Sequence, residues 1–208
     1  MKSKQSKFLL LASFLLVVVA CGKTTKGKLE NEWKVDSYVE TQETYEDGEL
    51  DTKRVTSFIG DTYSVTVNNS SYGGEVLANE MTIKKDGTWS LVRNYKYSFF
   101  ASPVILYYIE QSGTWNFVKK SKSDDAKKNE YVYFHILKEN VLSGLLGNNS
   151  NLQDETSEFY EGENTLQYRV IESKKDALKL ELTNSYSGTE DGTVYSEKRN
   201  VVVELSKK

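Results

Sequence analysis

Between Met81 and Lys119 the chain states one turn-and-strand pattern twice. The first copy is Met81-Thr82-Ile83-Lys84-Lys85-Asp86-Gly87-Thr88-Trp89-Ser90-Leu91-Val92. The second is Gln111-Ser112-Gly113-Thr114-Trp115-Asn116-Phe117-Val118. In both, Gly-Thr-Trp follows a turn and opens a run of alternating apolar and polar residues. Asp-Gly between two such runs predicts a β-hairpin, because glycine takes positive φ without a steric penalty. Threonine and tryptophan favour the pleated surface that follows.

The same period of two marks the other strands. Residues 32–40 form the first, with Trp33, Val35 and Ser37 on one face, and Tyr45-Glu46-Asp47-Gly48 turns the chain. Residues 51–59 and 62–67 follow, Tyr63, Val65 and Val67 sharing a face. Asn68 to Gly74 reads as a loop. The stretch 99–109 is the least polar of the mature chain and reads as a doubly buried strand or a loop over one barrel end. Pro103 weakens a strand start there, since proline cannot donate to a ladder. Residues 120–130 read as a charged, solvated turn. In 131–137, Tyr131, Tyr133 and His135 face one way and Val132, Phe134 and Ile136 the other. Because the second set has no hydroxyls to satisfy, the expectation is that it faces a packed core. A helical turn is expected near 139–146 and a long polar loop over 144–165. The final strands carry Leu166, Tyr168 and Val170, then Leu178, Leu180 and Leu182, then Val201, Val203 and Leu205. Ser173 to Asp176 and, more loosely, Ser185 to Gly192 connect them. Fourteen tyrosines against one proline suit such a sheet-rich chain.

The N-terminus carries an address rather than a structural element. Lys2, Lys4 and Lys7 precede an apolar run from Phe8 to Val19 that is short for a membrane span. It ends Val18-Val19-Ala20-Cys21-Gly22, which resembles a bacterial lipobox. The resemblance covers the first 22 residues and implies cleavage before Cys21, a diacylglycerol thioether on its sulfur and acylation of the new amine. This reading is preferred to an ordinary secretory signal or an uncleaved anchor. Cys21 is the one cysteine, so it has no internal disulfide partner. Each buried methylene contributes about 0.8 kcal/mol, and two or three chains would hold the protein on a membrane essentially permanently. Residues 1–20 are thus the signal peptide, 21–30 a lipidated flexible tether, and 31–208 one domain. Losing Lys2, Lys4 and Lys7 lowers the formal charge of −3 by three, which argues against a nucleic-acid partner.

The strands amount to an all-β fold: a single antiparallel up-and-down β-barrel of about eight to ten strands, which must close or stack to hide its edges. Their order resembles the lipocalin-like family of bacterial lipoproteins. The motifs fall at Asn31-Glu32-Trp33, Asp86-Gly87-Thr88, Gly113-Thr114-Trp115, Tyr168-Arg169-Val170 and Leu178-Lys179-Leu180. The likeness covers most of residues 29–205 and implies an eight-stranded barrel that binds a small ligand. Asn31 stands where the family has glycine, a position asparagine can fill in the left-handed region. Long inserts at 95–110 and 144–165 depart from the pattern and bear on whether the mouth is open.

Candidate chemistry is sparse. His135 is the only histidine, so a two-histidine metal site and a second histidine base are excluded; it reads as a packing residue. Asp154, Glu155, Glu158, Glu161 and Glu163 could attract a hard cation, yet no twelve-residue calcium loop contains them. Tyr95, Tyr97, Phe99, Phe100, Tyr107, Tyr108, Tyr131, Tyr133 and Phe134 fill a narrow barrel or line a ligand pocket, the first being preferred. Trp33, Trp89 and Trp115 read as structural plugs. The expectation is therefore a non-enzymatic lipoprotein of the bacterial cell envelope, lipid-anchored through Cys21, with an outer membrane favoured. Its barrel would bind a small apolar ligand, without a cofactor or nucleic acid. The alternative is an interaction or assembly lipoprotein whose long loops contact another envelope or host molecule.

Overall fold

The computed structural model describes residues 24–98, 103–119, 129–145 and 153–208. A short helix α1 (Thr25–Leu29) precedes eleven strands: β1 (Asn31–Glu46), β2 (Glu49–Ile59), β3 (Thr62–Val67), β4 (Ser70–Ile83), β5 (Thr88–Ser98) and β6 (Ile105–Val118). They continue with β7 (Tyr131–Leu145), β8 (Gln153–Glu158), β9 (Thr165–Ser173), β10 (Ala177–Glu190) and β11 (Thr193–Lys207). Every pairing is antiparallel. Ten strands close a barrel through the β6–β7 and β1–β11 ladders, and β8 lies outside it. The up-and-down barrel expected from the alternation is the observed fold.

The barrel has two tiers. In the lower one, β1 pairs directly with β4, Asn31 to Lys34 opposite Ile83 to Glu80. Above that level the two strands part and the β2–β3 hairpin enters between them. Register shifts at Asp36 in β1 and at Leu77 in β4 supply the bend each strand needs. The hairpin turn closes the fork: Gly60 N–H donates to Asp36 O at 2.9 Å, and Val76 N–H to Asp61 O at 2.9 Å. On the far wall, β7 is paired below by β9 up to His135 and above by β8 from Lys138. Beyond Leu182, β10 pairs with β11 alone. A seam therefore separates β8 from β10 in the upper wall.

Local chemistry accounts for the turns. Asp47 and Gly48, and again Asp191 and Gly192, both take positive φ, the backbone of a two-residue hairpin loop. In the β4–β5 connection only Gly87 does, at +88°. There the Asp86 carboxylate accepts from Thr88 N–H at 3.0 Å and Thr88 Oγ1–H at 2.6 Å, which explains Asp-Gly-Thr as a unit. Those bonds hold the Asp86 carboxyl below its usual range.

The lower tier is packed with apolar side chains. Val132, Phe134 and Ile136 point inward beside Leu178, Leu180, Leu182, Val201, Val203 and Leu205, as strand parity required. Eight strands leave an interior only wide enough for side chains. The three tryptophans are plugs, each indole N–H meeting a backbone carbonyl: Trp33 on Leu29, Trp89 on His135, Trp115 on Lys84. Helix α1 caps this end, with Leu29 fully buried and Lys28 Nζ donating to Ser173 O. Thr24 to Glu30, expected within a flexible tether, is thus docked on the barrel floor, because Leu29 gains a hydrophobic site there.

Five further expectations are corrected. Asn68 to Gly74 is not a loop: the turn ends at Asn69, and Gly73 and Gly74 lie in β4. A Cβ on Gly74 would stand 1.8 Å from Lys96 O, so glycine here permits close strand approach. In place of the helical turn expected near 139–146, the described residues 139–145 are the upper half of β7, held by ladders on both edges. The polar loop 144–165 contains β8, whose acidic sequence shows little alternation. Ser185 to Glu190 continues β10, and only Asp191-Gly192 turns. Asn31 opens β1 outside the left-handed region.

Candidate functional site

The barrel interior changes character with height. Above the apolar plug lies a polar belt, and above that a cluster of rings. Tyr38 and Glu40 enter from β1, Arg93 from β5 and Arg199 from β11. Glu40 is fully engaged: Arg199 Nε donates to Oε1 at 2.6 Å and Tyr38 OH to Oε2 at 2.7 Å. Arg93 is differently placed. Its Nε donates to Asn79 Oδ1 at 3.3 Å, and its guanidinium lies over the rings of Tyr38 at 4.4 Å and Phe58 at 4.3 Å. Among the described residues no carboxylate pairs with it.

The rings come from β2, β3, β4, β5 and β6. Phe58 and Tyr63 are 4.8 Å apart, Tyr63 and Tyr95 4.5 Å, and Tyr95 stacks on Tyr107 at 5.5 Å. Tyr97 joins Tyr107 at 5.8 Å and Tyr72 at 5.7 Å. Burial pushes the Tyr38, Tyr95 and Tyr97 hydroxyls up to about 12. It pushes those of Tyr63 and Tyr168 higher still. All five remain protonated at neutral pH and can donate.

Two cavities occupy this region. The upper, about 280 Å³, is walled by Glu40, Arg54, Phe58, Tyr63, Arg93 and Tyr95 among others. The lower, about 250 Å³, reaches down to Trp89, Phe134 and Leu180. Tyr38 and Arg93 line both and so form the partition between them. Each lies just below the lower end of the size range of small-molecule sites.

Of the aromatics singled out from sequence, Tyr95, Tyr97 and Tyr107 do converge here. Phe134 belongs to the lower core, where it meets Trp89 at 4.9 Å. Tyr131 and Tyr133 sit on the outer wall with His135. Phe99 and Phe100 lie outside the described residues, as does Cys21. His135 is a structural residue, its Nδ1 2.8 Å from Thr165 Oγ1 and its Nε2 3.4 Å from Asn116 Nδ2. The acidic residues of 154–163 are spread along β8 and the turn after it. Glu161 accepts from Thr114 and Glu163 from Tyr160 N–H. Among the described residues no three metal-ligating side chains converge.

Arg54, Phe58, Tyr63 and Arg93 were not singled out from sequence. Tyr63 carried a period-two signal with Val65 and Val67, but nothing local says that the β2–β3 hairpin inserts opposite β5. Comparison with known proteins finds no matching family model, no similar curated protein and no similar solved structure.

Proposed function

We propose that this is a lipid-anchored protein of the bacterial cell envelope whose barrel takes up a small ligand through its upper, ring-lined end. The pair of cavities inside the barrel, the upper walled by rings and arginines and the lower reaching into the apolar core, is the observation that carries the reading. A purely structural barrel gains nothing from hollow space lined by arginine and tyrosine. The lipobox at Cys21 supports the anchor. The placement of Thr24 supports an orientation: the chain joins the fold at the closed pole, beside exposed Lys26, Lys84, Lys85 and Lys208. Lysines there suit an anionic lipid surface, and the mouth then faces away from it.

The alternative, an adaptor that contacts another envelope or host molecule, draws on one observation. Leu50, Tyr186, Val194 and Tyr195 are exposed near the mouth, close to the unpaired upper edge of β10. Native mass spectrometry of the protein purified from its own host separates the two. A co-purifying small molecule lost on mild denaturation supports the carrier; a stoichiometric protein partner on an empty barrel overturns it.

A further inference from the structure

Unpartnered polar groups gather around Arg93, among the described residues a buried donor on Asn79 and a buried acceptor on the adjacent Asn94. Asn79 is buried, and its amide Nδ2 has no hydrogen-bond partner among the described residues. A buried donor left unmade is unfavourable, and native proteins rarely keep one without a reason. The Asn79 carbonyl is already used by Arg93 Nε. The two terminal nitrogens of that guanidinium have no acceptor among the described residues, although Arg93 lines both cavities. Arg54, exposed at the entrance of the upper cavity, also lacks a carboxylate partner among them. The carboxylates nearby are committed. Glu40 is held by Arg199 and Tyr38, and Glu139 accepts from Gln111. What the site lacks is a negatively charged acceptor.

On the carrier reading above, we infer that the ligand is an amphipathic anion. Its carboxylate, sulfonate or phosphate sits against the Arg93 guanidinium, which lines both cavities and which Asn79 holds from behind. Its planar or apolar body lies among Phe58, Tyr63 and Tyr95. The geometry suits this division. The rings of Tyr38 and Phe58 hold the Arg93 fork in place, so little freedom is lost when an anion docks. The buried tyrosine hydroxyls stay protonated and so add donors rather than charge. Arg54 at the mouth steers the anion inward, an effect that salt weakens. The apolar ligand expected from sequence thereby acquires a charged end.

A matched pair of dyes tests the inference: 8-anilino-1-naphthalenesulfonate and N-phenyl-1-naphthylamine, the same ring system with and without the sulfonate. Fluorescence titration of the full chain carrying Cys21→Ala, which alters no described residue, should show saturable one-to-one binding of both. The sulfonate should bind at least about ten-fold tighter, the worth of a charge-assisted hydrogen bond. Arg93→Gln should bring the ratio of the two affinities close to one, and Arg93→Lys should restore part of it. Arg54→Gln, at an exposed position that does not threaten folding, should slow association of the sulfonate and flatten its salt dependence. Equal affinities, with a ratio that neither variant moves, overturn the anion site and leave the carrier standing. If neither dye binds saturably, the carrier reading fails and this inference with it.

Discussion

Phe134→Ala tests the parity on which the interior assignment rests. Phe134 is fully buried in the lower tier, with Trp89 at 4.9 Å and Tyr168 edge-on at 6.0 Å. Truncation removes the ring's transfer free energy and leaves a void that a closed barrel collapses poorly around. For Phe→Ala in a core this costs about 3–5 kcal/mol, and the two lost ring contacts put the expectation toward the upper end. Since a whole domain is stable by roughly 5–15 kcal/mol, the change is large. Its neighbour Tyr133 points to the outer wall and is only half-buried, so Tyr133→Ala should cost about 1 kcal/mol or less. Urea unfolding followed by far-ultraviolet circular dichroism reads both, the midpoint shifting at constant slope. Thermal midpoints should differ by roughly 10 °C. A small loss for Phe134→Ala with a large one for Tyr133→Ala would place Tyr133 inside instead, because a one-residue slip in β7 exchanges the two faces.

Four further outcomes follow from particular contacts. Gly74→Ala should destabilise by about 2 kcal/mol or more, since its Cβ would meet Lys96 O at 1.8 Å and backbone must move; an unchanged unfolding midpoint contradicts the β4–β5 register. Gly87→Val should cost on the order of 1–2 kcal/mol because φ there is +88°, with Gly87→Asn closer to wild type in the same assay. Tyr38, Tyr95 and Tyr97 are raised by burial from 10.0 to about 12, so the folded state holds these protons more tightly than the unfolded one. Stability should be fully present below pH 10 and fall as pH rises from 10 toward 12; ultraviolet titration in which all tyrosines ionise together near 10 while the fold persists contradicts this. Cys21→Ala should move the protein from the membrane to the soluble fraction and remove acyl mass from the chain, and an unchanged membrane fraction rules out the lipid anchor.

The sequence alone determined the class of fold and much of its wiring. Strict alternation in 131–137, 178–182 and 201–205 can bury one face only as strands, so Phe134, Leu180 and Val203 had to share an interior. Asp-Gly pairs at 47–48, 86–87 and 191–192 turn the chain wherever they occur, because their backbone preference is local. Residues whose local pattern was weak escaped that logic. Gly73 and Gly74 read as a loop until the Lys96 carbonyl opposite them is known. Gln153 to Glu158 has almost no apolar alternation, and becomes a strand only because the upper edge of β7 needs a partner.

The candidate site was the least legible part. Arg54, Phe58, Tyr63, Asn79 and Arg93 come from four strands, and no spacing along the chain links them. What unites them is the β2–β3 hairpin, which enters where bulges at Asp36 and Leu77 let β1 and β4 part. Insertion widens the upper tier and the upper cavity opens there, walled by the hairpin's own Phe58 and Tyr63, while the lower cavity reaches into the apolar core beneath. Whether Arg93 is paired is likewise a tertiary fact. The charge is in the sequence, but the nearest carboxylate is decided by which strands face each other, and Glu40 faces Arg199.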